Sequence, residues 1–309
     1  MKASSIFRTE LERVPLKRLV APSDGVFFVG SCFTEHIGSW LSSLWLPVTC
    51  NPWGVLFNPA SIARSLMRAS HPGQDYVPEL HELGGRYCSF DHHGQFDAAS
   101  SDEVLSRISE AEKTASSGFA AAGHIFVTFG TSWIYERQGR VVANCHKFPA
   151  SEFSRRMLTV DEIVALFTPL IGQKHWVFTV SPIRHVRDGL HANQLSKATL
   201  LMAIDRLQQL FPEQVEYLPV YELFIDDLRD YRFYADDLVH PSSMGISLVR
   251  ELLSDCCFSP VMQQYVQEAS AIRRQIDHRP SDPESEQYKT FINQALQRRE
   301  NLILKYINV

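Results

Sequence analysis

No apolar run in this 309-residue chain approaches the roughly 20 residues that span a bilayer. The stretch Met1 to Glu10 lacks the apolar core of a signal peptide. The expectation is therefore a cytoplasmic protein with no membrane partner. An excess of positive charge is missing too: the formal net charge is −5 and no basic stripe is visible, so no nucleic-acid partner is expected. Cysteine is present but unpatterned. The six at positions 32, 50, 88, 145, 256 and 257 match no secreted disulfide framework. Cys145-His146 and Cys256-Cys257 are adjacent rather than spaced pairs, and His92-His93 and His185/His191 have no second ligand at helical spacing, so no metal site is expected. Internal repeats and low-complexity segments are also missing.

What remains is an ordinary globular composition, 45% hydrophobic and 21% charged. The length suits one α/β domain, residues 1–257, followed by a helical extension, 258–309. Strand patterns at 26–29, 124–129, 176–180 and 215–219 alternate with helix patterns at 61–69, 101–117, 160–171 and 195–211, which argues for a parallel sheet. Thr159 to Glu162 is a capping-box pattern. Residues 71–100 read as a long loop or small hairpin, either a lid with Tyr87, Phe90, His92, His93 and Phe96 or a surface excursion over a satellite core. Two charged helices, 261–276 and 286–307, flank a Pro-rich break at 279–283. Their apolar stripe suits packing on the domain or on a second copy, in a homo-oligomer.

Two motifs carry chemistry. In Val26-Phe27-Phe28-Val29-Gly30-Ser31-Cys32 a buried strand ends at a glycine, and a hydroxyl and a thiol follow at a helix start. That geometry exposes a nucleophile at the carboxyl edge of a sheet, and a helix N-terminus is expected to depress the thiol pKa. The bland alternative is a tight turn with a packed cysteine. In Asp237-Leu238-Val239-His240-Pro241 an Asp three residues before a His can reach Nδ1 and fix the tautomer, with a helix starting at Pro241 or Ser242. The alternative there is a helix start with a surface His.

Gly30-Ser31-Cys32-Phe33 is similar to the signature that names the GSCFA family, which ends in Ala where this chain has Thr34. That family is grouped with the SGNH (GDSL-like) hydrolases, whose last block, Asp-x-x-His-Pro, resembles residues 237–241. The likeness runs from about residue 20 to about 255. It implies an SGNH-hydrolase-like three-layer α/β sandwich with a central parallel sheet and a small-molecule acyl substrate, and calls for no cofactor. Aligned on Gly-Asp-Ser-Leu, Cys32 takes the nucleophile position and Ser31 the Asp position, so Cys32 is the first choice for the attacking atom and Ser31 the reserve. Asp237 and His240 would be the base pair. Oxyanion donors would come from Gly54 in Asn51-Pro52-Trp53-Gly54, from Ser132 where the family pattern has Asn, or from nearby Asn144. The expected activity is hydrolysis or acyl transfer on an ester or thioester. A non-catalytic binder that keeps the cleft is the competing class. Trp53, Trp133, Arg184 and Arg187 are candidates to line a site for a sugar or an anionic group, or are structural.

Overall fold

The computed structural model describes residues 9–71, 76–280 and 282–307. The first eight residues, positions 72–75 of the long segment, Ser281 of the charged break and the last two residues lie outside them. The strands are β1 (Gly25–Gly30), β2 (Val48–Cys50), β3 (His81–Leu83), β4 (Arg86–Cys88), β5 (Ala122–Phe129), β6 (Trp133–Arg137), β7 (Arg140–Val142), β8 (Ser154–Met157), β9 (His175–Val180) and β10 (Val215–Tyr217). The helices are α1 (Cys32–Ser43), α2 (Pro59–Ser70), α3 (Ser101–Ala121), α4 (Val160–Phe167), α5 (Leu190–Leu210), the single turn α6 (Val220–Glu222), α7 (Ser243–Cys257), α8 (Pro260–Ile276) and α9 (Glu286–Tyr306).

Five strands form one parallel sheet in the order β10-β9-β5-β1-β2. β1 reads as an unbroken apolar run because both of its faces are covered. Val26 and Phe28 enter one apolar cluster with Phe33 and Ile37 of α1, Val249 of α7 and Met262 of α8. Phe27 and Val29 enter the other, with Ile62 of α2, Phe119 of α3, Phe167 of α4 and Leu200 of α5. The expected α/β fold with a central parallel sheet is thus observed. From β1 the chain moves outward to β2 and then crosses to β5 on the other side. The order of strands reverses between β1 and β5, and a crevice opens at the carboxyl ends of strands at such a point. That crevice is where residues 30–32 lie.

The capping box forms as expected: Thr159 Oγ1 accepts from Glu162 N–H at 3.2 Å and Glu162 Oε2 accepts from Thr159 N–H at 2.7 Å. The long segment holds the hairpin β3–β4 and then returns to a small core of Phe96, Ala98, Val104, Ile108 and Ala111. Asp91 within it is buried and accepts hydrogen bonds from Arg64, Tyr76 and Arg140. A separate antiparallel sheet, β7-β6-β8, follows β5 and has no counterpart in the sequence reading. Helix α8 buries Met262, Tyr265, Ala269 and Ile272 against the same cluster as α1 and α7, and Tyr265 donates to the Leu44 carbonyl at 2.6 Å. Among the described residues no helix is long and apolar enough to cross a membrane.

Candidate functional site

The turn after β1 is shaped by close approach. Gly30 has φ of 143°, and a Cβ there would fall 2.2 Å from the Thr128 carbonyl oxygen of β5, so only glycine fits. Ser31 is the N-cap of α1 but its side chain caps nothing. Its Oγ is buried and has no hydrogen-bond partner among the described residues. Cys32 begins the helix, half-buried. Burial, and then the charge of Glu35, push its thiol pKa up, while the N–H groups of Phe33 and Cys32 itself and the charge of Lys197 pull it down. The upward influences win, so the thiol is raised rather than depressed as the motif led us to expect. A helix N-terminus helps a thiolate, but here desolvation outweighs it.

The loop 51–57 is laced across the ends of β1 and β5. Asn51 N–H donates to Phe28 O at 2.9 Å, Leu56 N–H to Gly30 O at 3.0 Å, and Gly130 N–H to Phe57 O at 2.8 Å. The Asn51 side chain accepts from Gly30 N–H at 2.9 Å, which leaves its Nδ2 buried and unpaired among the described residues. The sequence pointed to Gly54 of this tetrapeptide rather than to Asn51, yet Asn51 holds a spare donor on the side chain that caps the Gly30 amide. Gly54, the expected oxyanion donor, gives its N–H to Asn51 O at 2.8 Å. Its φ is 75°, and a Cβ there would come 2.3 Å from His93 Cβ. Gly54→Ala is therefore expected to destabilise the protein by about 2–4 kcal/mol, from backbone strain plus overpacking. A urea midpoint that stays in place would show that the loop relaxes freely.

Ser132 is buried, and both its N–H and its hydroxyl donate to Ser196 Oγ of α5, at 2.8 and 3.1 Å. Its donors thus tie the loop after β5 to α5. Asn144 accepts from His146 N–H at 3.0 Å and lines a cavity with Cys88, Asp97 and His146 that includes neither Ser31 nor Cys32. Trp53 is a core residue, and Trp133 lies under the Arg155 guanidinium, 4.2 Å from it.

One residue that sequence reasoning passed over stands out. Lys197, next to Ser196, is fully buried and donates to Gly130 O at 2.6 Å and Ser181 O at 2.7 Å, the carbonyls just beyond β5 and β9. No acidic side chain pairs with it among the described residues. Burial brings its pKa down to about 7, with a partial upward pull from Cys32. The signal was in the helix pattern: Asn193, Ser196 and Lys197 continue the buried stripe of Leu200, Ala203, Ile204 and Leu207. A lysine on the inward stripe of a helix needs a reason. His185, from the loop after β9, lies in the same neighbourhood, and burial together with the Lys197 charge lowers its pKa to about 4.

The Asp237–His240 pair forms as the spacing predicts. His240 Nδ1 lies 2.5 Å from Asp237 Oδ2, and Asp237 Oδ1 accepts the N–H groups of Val239 and His240, both at 2.9 Å. These two N–H bonds, more than the imidazole, hold the Asp237 pKa down to about 2. The side chains are 48% and 50% exposed, so the imidazole is open to a reactant. Phe233 and Val239 of this loop pack against the same apolar cluster as Cys32, which sets both motifs on one side of the sheet. Among the described residues no group of three or more His, Cys, Asp or Glu side chains is gathered as a metal site would need.

Comparison with the curated proteins and with the solved structures found no match. The model of the GSCFA family matches residues 25–252, and that of the GSCFA domain protein C-terminal domain matches residues 269–309. The first match covers most of the chain, including the strand–glycine–cysteine turn and the Asp237–His240 loop, and the chain therefore belongs to the GSCFA family.

Proposed function

We propose that this protein is an acyl-transferring enzyme on an SGNH-like three-layer sandwich, an esterase or acyltransferase with Cys32 as nucleophile. The observation that carries the reading is the position of Cys32: first residue of α1, two residues after the strand-ending Gly30, with its own N–H and that of Phe33 lowering the thiol pKa. The donors that stabilise a thiolate there also suit the oxyanion that forms when it attacks a carbonyl. Because the thiol is raised, it needs a base. His240, oriented by Asp237, takes the sulfur proton as the thiolate adds to the ester or thioester carbonyl. Collapse of the tetrahedral oxyanion expels the alcohol or thiol, which leaves with the proton from His240. Water, or another alcohol or amine, then attacks the acyl-Cys32 and releases the acid or the transferred product. Support for joining the two motifs is their packing on one apolar cluster. With the Gly54 N–H given to Asn51 O, the Ser132 donors to Ser196 and Asn144 in a different cavity, the oxyanion donors of this reading are the N–H groups of Cys32 and Phe33, with the buried Asn51 Nδ2 as a further candidate.

The serine reading is separable. Ser31 Oγ is buried without a partner among the described residues, so Ser31→Ala removes an unsatisfied group and is expected not to lower stability. On a panel of aryl esters and thioesters it should keep wild-type turnover. Loss of turnover in Ser31→Ala would move the nucleophile one residue back. The binder reading is favoured by the raised thiol and by Ser132 donors already spent on Ser196. A wild-type protein inert on the whole panel would support it.

A further inference from the structure

Beside the Asp237–His240 loop lies a cavity of about 320 Å3 whose polar lining is rich in donors. Arg184 is one of its lining residues. The guanidinium sits 4.5 Å from the Tyr234 ring and 5.5 Å from the Tyr231 ring, and Nη2 donates to Tyr234 Oη at 2.9 Å. Packed against both phenols it is held in place, yet no carboxylate pairs with it among the described residues. Arg229 adds a second, exposed cation on the lining, also without an acidic partner among them. The one acidic residue on the lining, Asp230, is neutralised by Arg232 at 2.9 Å.

The two amides that line the cavity have their acceptors occupied. Asn193 Oδ1 takes His185 N–H at 3.0 Å, and Gln194 Oε1 takes the Tyr221 hydroxyl at 2.6 Å. What each retains is its NH2. One wall, with Phe224 and Ile225, is the π-helical turn Leu223–Asp227 that follows α6, a departure from α geometry of a kind frequent at functional sites. The cavity is linked to the candidate residues through neighbouring side chains. Tyr231 and Tyr234 lead into the His240 loop, where Ala235 N–H donates to His240 O at 2.7 Å. The Lys197 ammonium lies 5.9 Å from the ring of Tyr221, which holds Gln194.

We infer that this cavity binds an oxyanion, a carboxylate or phosphate group, through the Arg184 guanidinium with Arg229 and the two amide NH2 groups as further donors. A planar guanidinium fixed by two aromatic neighbours keeps N–H donors to offer to such a group. That the anion is part of the acyl substrate rests on the acyl-transfer reading above; the anion site itself does not.

The test is calorimetric titration of the full chain with inorganic phosphate, pyrophosphate and succinate at constant ionic strength. At least one is expected to bind wild type with a Kd of about 1 mM or below. Arg184→Gln should weaken that binding about tenfold or more, Arg184→Lys less, and exposed Arg229→Gln, which cannot unfold the core, about threefold. Arg206→Gln, the same charge change elsewhere on the exposed surface, should leave it alone. Preference for succinate identifies a carboxylate ligand, and preference for phosphate or pyrophosphate a phosphorylated one. The inference is overturned if none of the three binds, or if Arg206→Gln weakens binding as much as Arg184→Gln does. Cys32→Ala should bind like wild type, so the site survives a failure of the acyl-transfer reading. The substrate assignment falls separately if Arg184→Gln slows anionic and neutral esters equally.

Discussion

Cys32→Ala is expected to lower kcat/KM on any ester or thioester the protein turns over by about 10^3-fold or more. The loss should sit in kcat, because the sulfur is needed for the chemical step and adds little to ground-state binding. His240→Ala should cost a comparable factor. The informative variant is the double one. If thiol and imidazole act as one unit, removing both should be scarcely worse than removing either, since each is useless without the other. Additive losses would mean that His240 acts somewhere other than on Cys32. Fold damage is not a ready explanation for His240→Ala, because the side chain is about half exposed in a loop.

The second large effect is expected at Lys197. Its folded pKa of about 7 lies well below the 10.5 of an unfolded lysine. Between those values the unfolded chain holds a proton that the folded chain has released. Stability contributed by this residue therefore rises with pH, by about 2 kcal/mol from pH 7 to 9, and the full burial cost is felt below pH 7. Lys197→Met should remove that slope. The comparison must be made as wild type minus variant, since raised thiols such as Cys257 make stability fall with pH over part of the same range. At pH 7 itself the variant is expected to be nearly as stable as wild type. It sheds the cost of a buried cation but leaves Gly130 O and Ser181 O without their donor. Its Cys32 should be alkylated by iodoacetamide more slowly at neutral pH, because the Lys197 charge no longer lowers the thiol pKa. An unchanged pH slope together with an unchanged alkylation rate would reduce Lys197 to a packing residue.

These expectations draw unequally on what the sequence displayed. β1 and the helix after it were legible because an all-apolar run closed by glycine has few other readings, and Asp237 with His240 because three residues of spacing suffice to join them. The sheet β7-β6-β8 was not. Its strands are three to five residues long and carry Arg137, Arg140, Arg155 and Arg156, so alternation is faint. The one local cue was Gln138-Gly139, both at positive φ, a turn of the type that closes two-residue hairpins. Lys197 and Asn51 were missed for another reason. Each matters through what lies opposite, the carbonyls beyond two strands for one and the amide of Gly30 for the other, and neither neighbour is close in the chain. The thiol pKa was misjudged because a motif shows the helix N-terminus but not the burial that opposes it.

The central claim is a covalent acyl group on one sulfur. The direct measurement is an acid quench of wild-type protein during turnover of an ester or thioester from the panel, followed by peptide mapping by mass. The expected result is an acyl adduct on Cys32, sensitive to hydroxylamine, that disappears in Cys32→Ala. Turnover that leaves Cys32 unmodified, or an adduct found on Ser31 instead, would contradict it.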